Sequence, residues 1–210
     1  LNDEVLRQLY ERLNYLRNLE EKKQQVIASI EEQGKLTEEL KAQIEAAQTL
    51  VVVDDLYRPY RPKRRTRATI AKEKGLEPLA DLIRLQLTSR PLEEDAQAYV
   101  NPEKEVHTVE DAIHGASDIL AEAISDEADY RIRIREMTFK KGMITSAAKD
   151  PETESVYEMY YEFSESVSKI AGHRILALNR GESEKILTVK VEAPQEDIIR
   201  YLEKQVIAKQ

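Results

Sequence analysis

The chain has 210 residues, enough for one large domain or two small ones with a buried core. Charged residues make up 34% and aromatic residues 6%, a mixture that favours helices over a sheet protein. There is no cysteine, which excludes disulfides and zinc–thiolate sites, and no apolar run is long enough to cross a membrane. A cytoplasmic setting is therefore expected, and a start at Leu1 without Met predicts a piece of a longer protein.

A long first helix is predicted to begin at a cap formed by Asn2 or Asp3 and to end near Glu32, before Gly34. Its apolar residues keep one register near both ends, but the heptad between them carries Glu20 and Lys23. An uninterrupted coiled coil is excluded, and the two ends are expected to pack on different neighbours with the middle in water. The apolar positions are Leu6, Leu9, Leu13, Leu16, Ile27 and Ile30.

Thr37 is expected to cap a second helix that reaches about Gln48. Residues 50–53 suit either a short buried strand or part of a helix over residues 49–57, and the helix-rich surroundings favour the helix. Pro59 and Pro62 should end it, because neither has an amide hydrogen and each favours an extended residue before it.

Four further helices follow at residues with known helix-starting roles. Thr66 is expected to cap a short basic helix that ends at Gly75. Pro78 starts the next helix, with Leu87 among the residues on its inner face. Pro91 starts a third, and Thr108 opens a fourth with a capping box closed by an aspartate.

The C-terminal third mixes helices with a little strand. A helix is predicted from Ser125 or Asp126 to Gly142, a short extended piece at 143–148, and a helix with an aromatic side at 155–163. Residues 174–182 fit a hairpin or a helix terminus, residues 187–191 alternate as a strand, and a helix closes the chain at 195–208. The fold class is therefore mainly α, a multi-helix assembly with a long first helix and a small β element near the C-terminus. Two regions are expected, residues 1–148 and residues 149–210, the second leading toward a next domain.

Catalytic and metal chemistry find no support in the residues. Neighbouring carboxylates on a helix point about 100° apart, so pairs such as Asp54 and Asp55 do not converge on one substrate atom, and pairing with Arg58 or Arg61 is expected instead. No glycine lies in a phosphate-binding loop and no serine in a nucleophile elbow. We expect no enzyme activity, cofactor or metal. The histidines, too few and too scattered to bind one, are His107, His114 and His173.

Positive charge is concentrated at residues 58–74, which we call the basic stretch. It holds eight Lys or Arg and one acid, a net charge of +7, so the rest of the chain carries −15. One interpretation is phosphate contact, with a tyrosine stacking on a base or sugar. The other is that its arginines bind acidic helices or a neighbouring domain while the tyrosines anchor the loop. The candidate nucleic-acid-binding residues are Tyr57, Tyr60, Arg61, Lys63, Arg64, Arg65, Arg67 and Lys72.

Residues 54–83, DDLYRPYRPKRRTRATIAKEKGLEPLADLI, resemble the signature of the bacterial Tex family of transcription accessory proteins. Three other stretches agree in order along the chain: LYERLNYLRNLEEKKQQVIASIEEQGKLTEEL, GASDILAEAISDEA and HRILALNRGESEKIL. The resemblance implies the N-terminal helical region of a larger protein, in which an RNase-H-like domain, helix–hairpin–helix units and a C-terminal OB-fold domain follow. It further implies that nucleic acid is bound chiefly by that absent OB-fold domain. The motif itself is at least partly structural: Tyr57, Pro59, Tyr60, Pro62, Lys63, Arg64, Arg65, Thr66 and Arg67.

The predicted function is therefore a non-catalytic helical scaffold or interaction region of a transcription accessory protein that binds nucleic acid as a whole. The alternative is direct phosphate binding by the basic stretch. The expected partners are other domains of the same protein, nucleic acid and the transcription machinery, with no membrane.

Overall fold

A computed structural model describes residues 2–208 as two compact units, which divide between Arg131 and Ile132. This division lies upstream of the boundary that the sequence predicts after residue 148. The difference arises because the extended piece at 143–148 pairs with both strands of the second unit. No helix within residues 2–208 is long and apolar enough to cross a membrane. The mainly helical fold class with a small sheet near the C-terminus is confirmed.

The first unit is helical throughout. Four threonines cap its helices, since the side chains of Thr37, Thr49, Thr66 and Thr108 each accept a hydrogen bond from a backbone amide in the first turn. Residues 50–53 are helical, as favoured from the sequence. The helices are α1 (Asp3–Glu32), α2 (Glu38–Ala46), α3 (Leu50–Tyr57), α4 (Arg67–Glu73), α5 (Glu77–Leu85), α6 (Leu92–Gln97), α7 (Val109–Asp126) and the first turn of α8 (Ala128–Lys141), with a short 3-10 turn at Pro102–Lys104.

The second half of α1 packs against α2 and α3 around Val26, Ile30, Ile44 and Val53, each at most 2% exposed. The expectation that the middle of α1 lies in water holds for Glu20, which is exposed, but is wrong for Lys23. Lys23 is buried there because its Nζ donates to the Glu45 carbonyl at 2.7 Å, near the end of α2 where helical carbonyls lack partners. In the first half of α1, Tyr15 packs against this core, but the other apolar residues do not pack as predicted and are at least 43% exposed: Val5, Leu6, Leu9, Tyr10, Leu13 and Leu16.

A second core joins α4, α5, α6 and α7 around Leu76 and Leu79. Gly115 lets α7 approach this core closely, since a Cβ at that position would lie 2.2 Å from Leu76 Cδ1. The prediction that Leu87 faces inward is wrong. Helix α5 ends at Leu85, Gln86 turns the chain with a φ of 53°, and Leu87 is 83% exposed.

The second unit is a three-stranded antiparallel sheet in the order β2-β1-β3, with helices α9 and α10. The predicted helix at 155–163 is wrong, because only a 3-10 turn at Glu158–Tyr160 forms before β2 pairs with β1. Residues 174–182 form a helix rather than a hairpin. Helix α7 also continues to Asp126, so the predicted restart at 125 or 126 falls at Ala128. The elements are the rest of α8, β1 (Met143–Ala148), β2 (Glu162–Ser166), α9 (Gly172–Ser183), β3 (Leu187–Glu192) and α10 (Gln195–Val206).

Candidate functional site

The basic stretch leaves α3 through a tight turn and then continues without helix or strand to α4. The amides of Tyr60 and Arg61 both donate to the Tyr57 carbonyl, at 2.9 and 3.0 Å. Pro62 then prevents a return to helix. Thr66 starts α4 with a capping box, in which its side chain accepts from the Thr69 amide and the Thr69 side chain accepts from the Thr66 amide.

Helix α7 presents three carboxylates to this segment, Asp118, Glu122 and Asp126, which we call the acidic ladder. They recur every four residues and therefore share one face, with a rise of about 6 Å between neighbours. Cations of the basic stretch pair with these carboxylates, and cations later in the stretch pair with carboxylates earlier in α7. Arg67 faces Asp118, Lys63 faces Glu122 and Asp126, and Arg58 faces Asp126.

Asp126 forms the strongly held end of the ladder. Its side chain is 10% exposed, and it pairs with Arg58 Nε at 2.9 Å and with Lys63 Nζ. As the last residue of α7, it places a negative charge at the negative end of the helix dipole. The two cations compensate both that repulsion and the cost of burying the carboxylate.

Glu122 is the middle rung, with its Oε1 at 3.4 Å from Lys63 Nζ. Burial by itself raises the pKa of Glu122. The Thr66 hydrogen bond, the charge and hydrogen bond of Lys63 and the charge of Lys72 outweigh that effect and hold the pKa below its ordinary value. The environment therefore favours an ionised carboxylate at this rung.

Asp118, the third carboxylate of the ladder, is weakly paired, and we call it the loose rung. Arg67 Nε lies 3.9 Å from Asp118 Oδ1, and the arginine side chain is 87% exposed. An ion pair so exposed and so long is well hydrated and contributes little to stability.

The two candidate tyrosines face α1 and the core. Tyr57 OH hydrogen-bonds Ser29 Oγ at 2.8 Å, and the Tyr60 carbonyl accepts from Gln33 Nε2 at 2.9 Å. Both rings pack against the first core. Arg61 lies over the Tyr57 ring, 5.6 Å from its centroid. The tyrosines thus occupy the positions of loop anchors.

Acidic partners of the stretch also come from α3. Arg61 pairs with Asp54 at 3.3 Å, as the sequence predicts. Asp55 does not follow the prediction, because it is buried against Arg131 of α8 at 3.5 Å. The basic stretch therefore has acidic partners on two helices, Asp54 on α3 and the acidic ladder on α7.

Arg65 and Lys72 pair with acids outside the ladder, and Arg64 pairs with none of the ladder's carboxylates. Arg65 pairs with Glu73 at 2.6 Å although both side chains are more than half exposed, and Lys72 lies 3.7 Å from Glu77. Arg64 is exposed and makes no hydrogen bond or ion pair within residues 2–208. Among the candidate residues, it is the one whose charge is not used inside the described structure.

Among the grooves that border the ladder, two are lined by both Arg67 and Asp118. The first, about 560 Å³, lies between the basic stretch and α7, and we call it the ladder groove. The second, about 540 Å³, is lined by His107 and His114 on the other side of the loose rung. No cluster of three or more His, Asp or Glu side chains in the described part of the chain could hold a metal ion.

Reasoning from the sequence missed the acidic ladder, although its signal was present. Asp118 and Glu122 stand at i and i+4 within the helix predicted to open at Thr108, but the restart predicted at residue 125 or 126 separates Asp126, at i+8, from that helix. What could not be read from the chain was that this face meets the basic stretch, because the contact joins segments separated by about 60 residues.

A family model described as Tex central region-like matches residues 88–210. The Bacillus subtilis (strain 168) protein YdcI is 51% identical over 209 residues, which cover 98% of this chain and 29% of that protein. The Neisseria gonorrhoeae Transcriptional accessory protein Tex is 42% identical over 199 residues, 94% of this chain and 26% of the relative. The Homo sapiens S1 RNA-binding domain-containing protein 1 is 31% identical over 201 residues, 91% and 20% respectively. The chain thus spans less than a third of the length of these curated relatives.

Proposed function

This chain belongs to the Tex family, and we propose that within a Tex protein it is a non-catalytic helical scaffold that holds other domains of the same polypeptide. The observation that carries the proposal is the pairing of the basic stretch with the acidic ladder. Arg58 and Lys63 are directed at a buried carboxylate, and Tyr57 and Tyr60 anchor the same loop on α1. These contacts join α1, α3, α4 and α7.

We further propose that the longer protein binds nucleic acid, mainly through domains outside these 210 residues, and works with the transcription machinery in the cytoplasm. Support comes from the names of the relatives. One is a transcriptional accessory protein and another contains an S1 RNA-binding domain. On this proposal the chain's partners are its neighbouring domains, and through them nucleic acid.

A second candidate function is direct phosphate contact by the outward-facing cations. Arg64 has no partner within residues 2–208, and the side chains of Arg65 and Arg67 are 66% and 87% exposed. Arginine's planar fork matches phosphate as well as carboxylate.

Two double variants of the 210-residue chain test the scaffold. Arg58→Gln with Lys63→Gln removes the charges held by Asp126, whereas Arg64→Gln with Arg65→Gln removes two cations that face solvent. The scaffold predicts that only the first pair lowers the urea midpoint of unfolding, followed by far-UV circular dichroism. It also predicts a gel shift for a full-length Tex protein and none for this chain.

Equal midpoints for the two double variants would contradict the scaffold. A gel shift by the isolated chain, lost in the Arg64 and Arg65 variant, would favour the second candidate function. Magnesium-dependent nuclease activity that survives repurification and disappears in Asp54→Ala would overturn the non-catalytic assignment.

A further inference from the structure

Three arginines stand along the outer side of the ladder groove, Arg61, Arg64 and Arg67, which we call the arginine rim. They recur every third residue, and residues 62–66 belong to no helix or strand. Three residues of chain span at most about 10–11 Å, which is the upper limit for the spacing of neighbouring rim positions. The rim is therefore a row of guanidinium groups that follows the groove.

The charge of the ladder groove suits an anion. Five cations and three carboxylates line it. Arg58 and Lys63 compensate Glu122 and Asp126 in its inner part, and Arg61 pairs with Asp54 of α3. Arg64 and Arg67 therefore exceed the remaining acid of the groove, Asp118, by one charge. The neighbouring groove with the two histidines is lined by four acids and two arginine or lysine side chains and does not share this excess.

Within residues 2–208, Arg67 is the one rim arginine that pairs with a carboxylate of the acidic ladder, Asp118. The contact between the two is 3.9 Å long, and Arg67 is 87% exposed, so the pair can be broken at little cost. A phosphate can offer Arg67 two parallel hydrogen bonds, which the long single contact to Asp118 does not provide. The groove volume of about 560 Å³ is that of a small-ligand site and suits one strand rather than a duplex.

We propose that the arginine rim binds the phosphate backbone of single-stranded nucleic acid and that Asp118 competes with the strand for Arg67. Arg64 makes the first contact, and the strand displaces Asp118 as it moves along the groove. The inference rests on the second candidate function and adds to it an internal competitor on α7. The acidic ladder thereby has two roles, a structural one at Asp126 and a regulatory one at Asp118.

Fluorescence anisotropy with fluorescein-labelled oligouridylate and oligothymidylate tests this in the 210-residue chain over a range of salt concentrations. Asp118→Asn should tighten binding about two- to fivefold, the range that loss of an exposed ion pair allows. Arg64→Gln should weaken binding and reduce the log–log salt slope by about 0.7, the value for one phosphate contact on a single strand. Glu110→Gln on the same helix changes the net charge equally but removes no ion pair with a rim arginine, and it should leave the affinity unchanged.

Each other outcome overturns a different statement. An unchanged affinity for Asp118→Asn with a reduced slope for Arg64→Gln would remove the competition and leave the phosphate contact. Equal tightening by Glu110→Gln would reduce the effect to net charge. Absence of binding in all variants would remove the second candidate function and this inference together.

Discussion

At its start the basic stretch is held against a buried carboxylate, whereas a few residues later it lies in solvent. Arg58 and Lys63 converge on Asp126, whose side chain is 10% exposed. Arg64 has no partner within residues 2–208, and Arg67 reaches Asp118 only at 3.9 Å. The same residue types, in one short segment, are desolvated at one end and hydrated at the other.

This difference shows that positive charge in a sequence does not by itself indicate a binding surface. A cation beside a buried acid is needed by the fold, because its removal leaves that acid uncompensated. A cation in a hydrated pair adds little to stability and can be used for an external partner. Which of the two applies depends on the opposing helix face, and here on the spacing of the acids along α7.

The largest effect is expected for Asp126→Ala, which leaves Arg58 and Lys63 without their shared carboxylate. Breaking a buried ion pair typically costs 3–5 kcal/mol. Because these two cations are 43% and 28% exposed, water compensates part of the loss, and a destabilisation of about 2–3 kcal/mol is expected. Urea denaturation followed by circular dichroism measures it.

The matched control is Asp118→Ala, which removes a carboxylate from the same ladder at its exposed rung. It should change the free energy of unfolding by less than about 0.5 kcal/mol. Similar losses for the two variants would mean that the ends of the stretch do not differ energetically, and the comparison would fail.

A smaller loss of stability is expected for Gly115→Ala, which tests the packing of α7 against the second core. Helix α7 carries the carboxylates that face both the buried and the exposed cations. The new Cβ would lie 2.2 Å from Leu76 Cδ1, a side chain that is 1% exposed and has little room to move. Overpacking costs about 1–3 kcal/mol, and the better helix propensity of alanine returns about 0.5–1 kcal/mol. We expect a net destabilisation of about 1–2 kcal/mol by the same denaturation assay. Gly172→Ala, where a Cβ meets no atom within 4 Å, is the control and should be close to neutral.

Most helices were predictable from local chemistry. Thr37, Thr66 and Thr108 cap helices as their residue types indicate, and Gly34 follows α1 with a φ of 69°. The failures arose where tertiary contacts override spacing. The three tyrosines of the 155–163 segment suggest a helix. However, antiparallel pairing of β2 with β1 and a hydrogen bond from Ser146 Oγ to the Tyr160 carbonyl hold the chain in a turn and a strand.

The candidate site was predictable in part. Its location and its tie to acidic groups could be inferred from the charge reversal at residues 58–74, and the pairing of Arg61 with Asp54 was expected. Which cations pair with acids inside the fold and which face solvent could not be inferred. It depends on how α7 lies against the loop, and Lys63 and Arg64 are neighbours in sequence with opposite environments.

The smallest effect concerns Glu122, the rung between the two ends. Its pKa in the folded chain lies below the ordinary value, so the native state binds fewer protons than the unfolded state in that pH window. The stabilisation from Glu122 is therefore complete above the ordinary glutamate pKa and is lost as pH falls through the lowered one. Glu122→Gln removes this dependence. The free energy of unfolding of this variant should fall furthest below that of the wild-type chain near neutral pH, and the difference should shrink in acid.

Urea midpoints of both proteins, measured from neutral to acidic pH, check the sign. A difference that stayed constant or grew in acid would show that Lys63 does not favour the ionised form of Glu122. Asp118→Asn provides the comparison on the same helix face, and it should lower the urea midpoint little at neutral pH, because the one ion pair of Asp118 within residues 2–208 is with the exposed Arg67. A clear loss of stability for Glu122→Gln at neutral pH beside a small one for Asp118→Asn would place the transition from structural to available charge between Lys63 and Arg67.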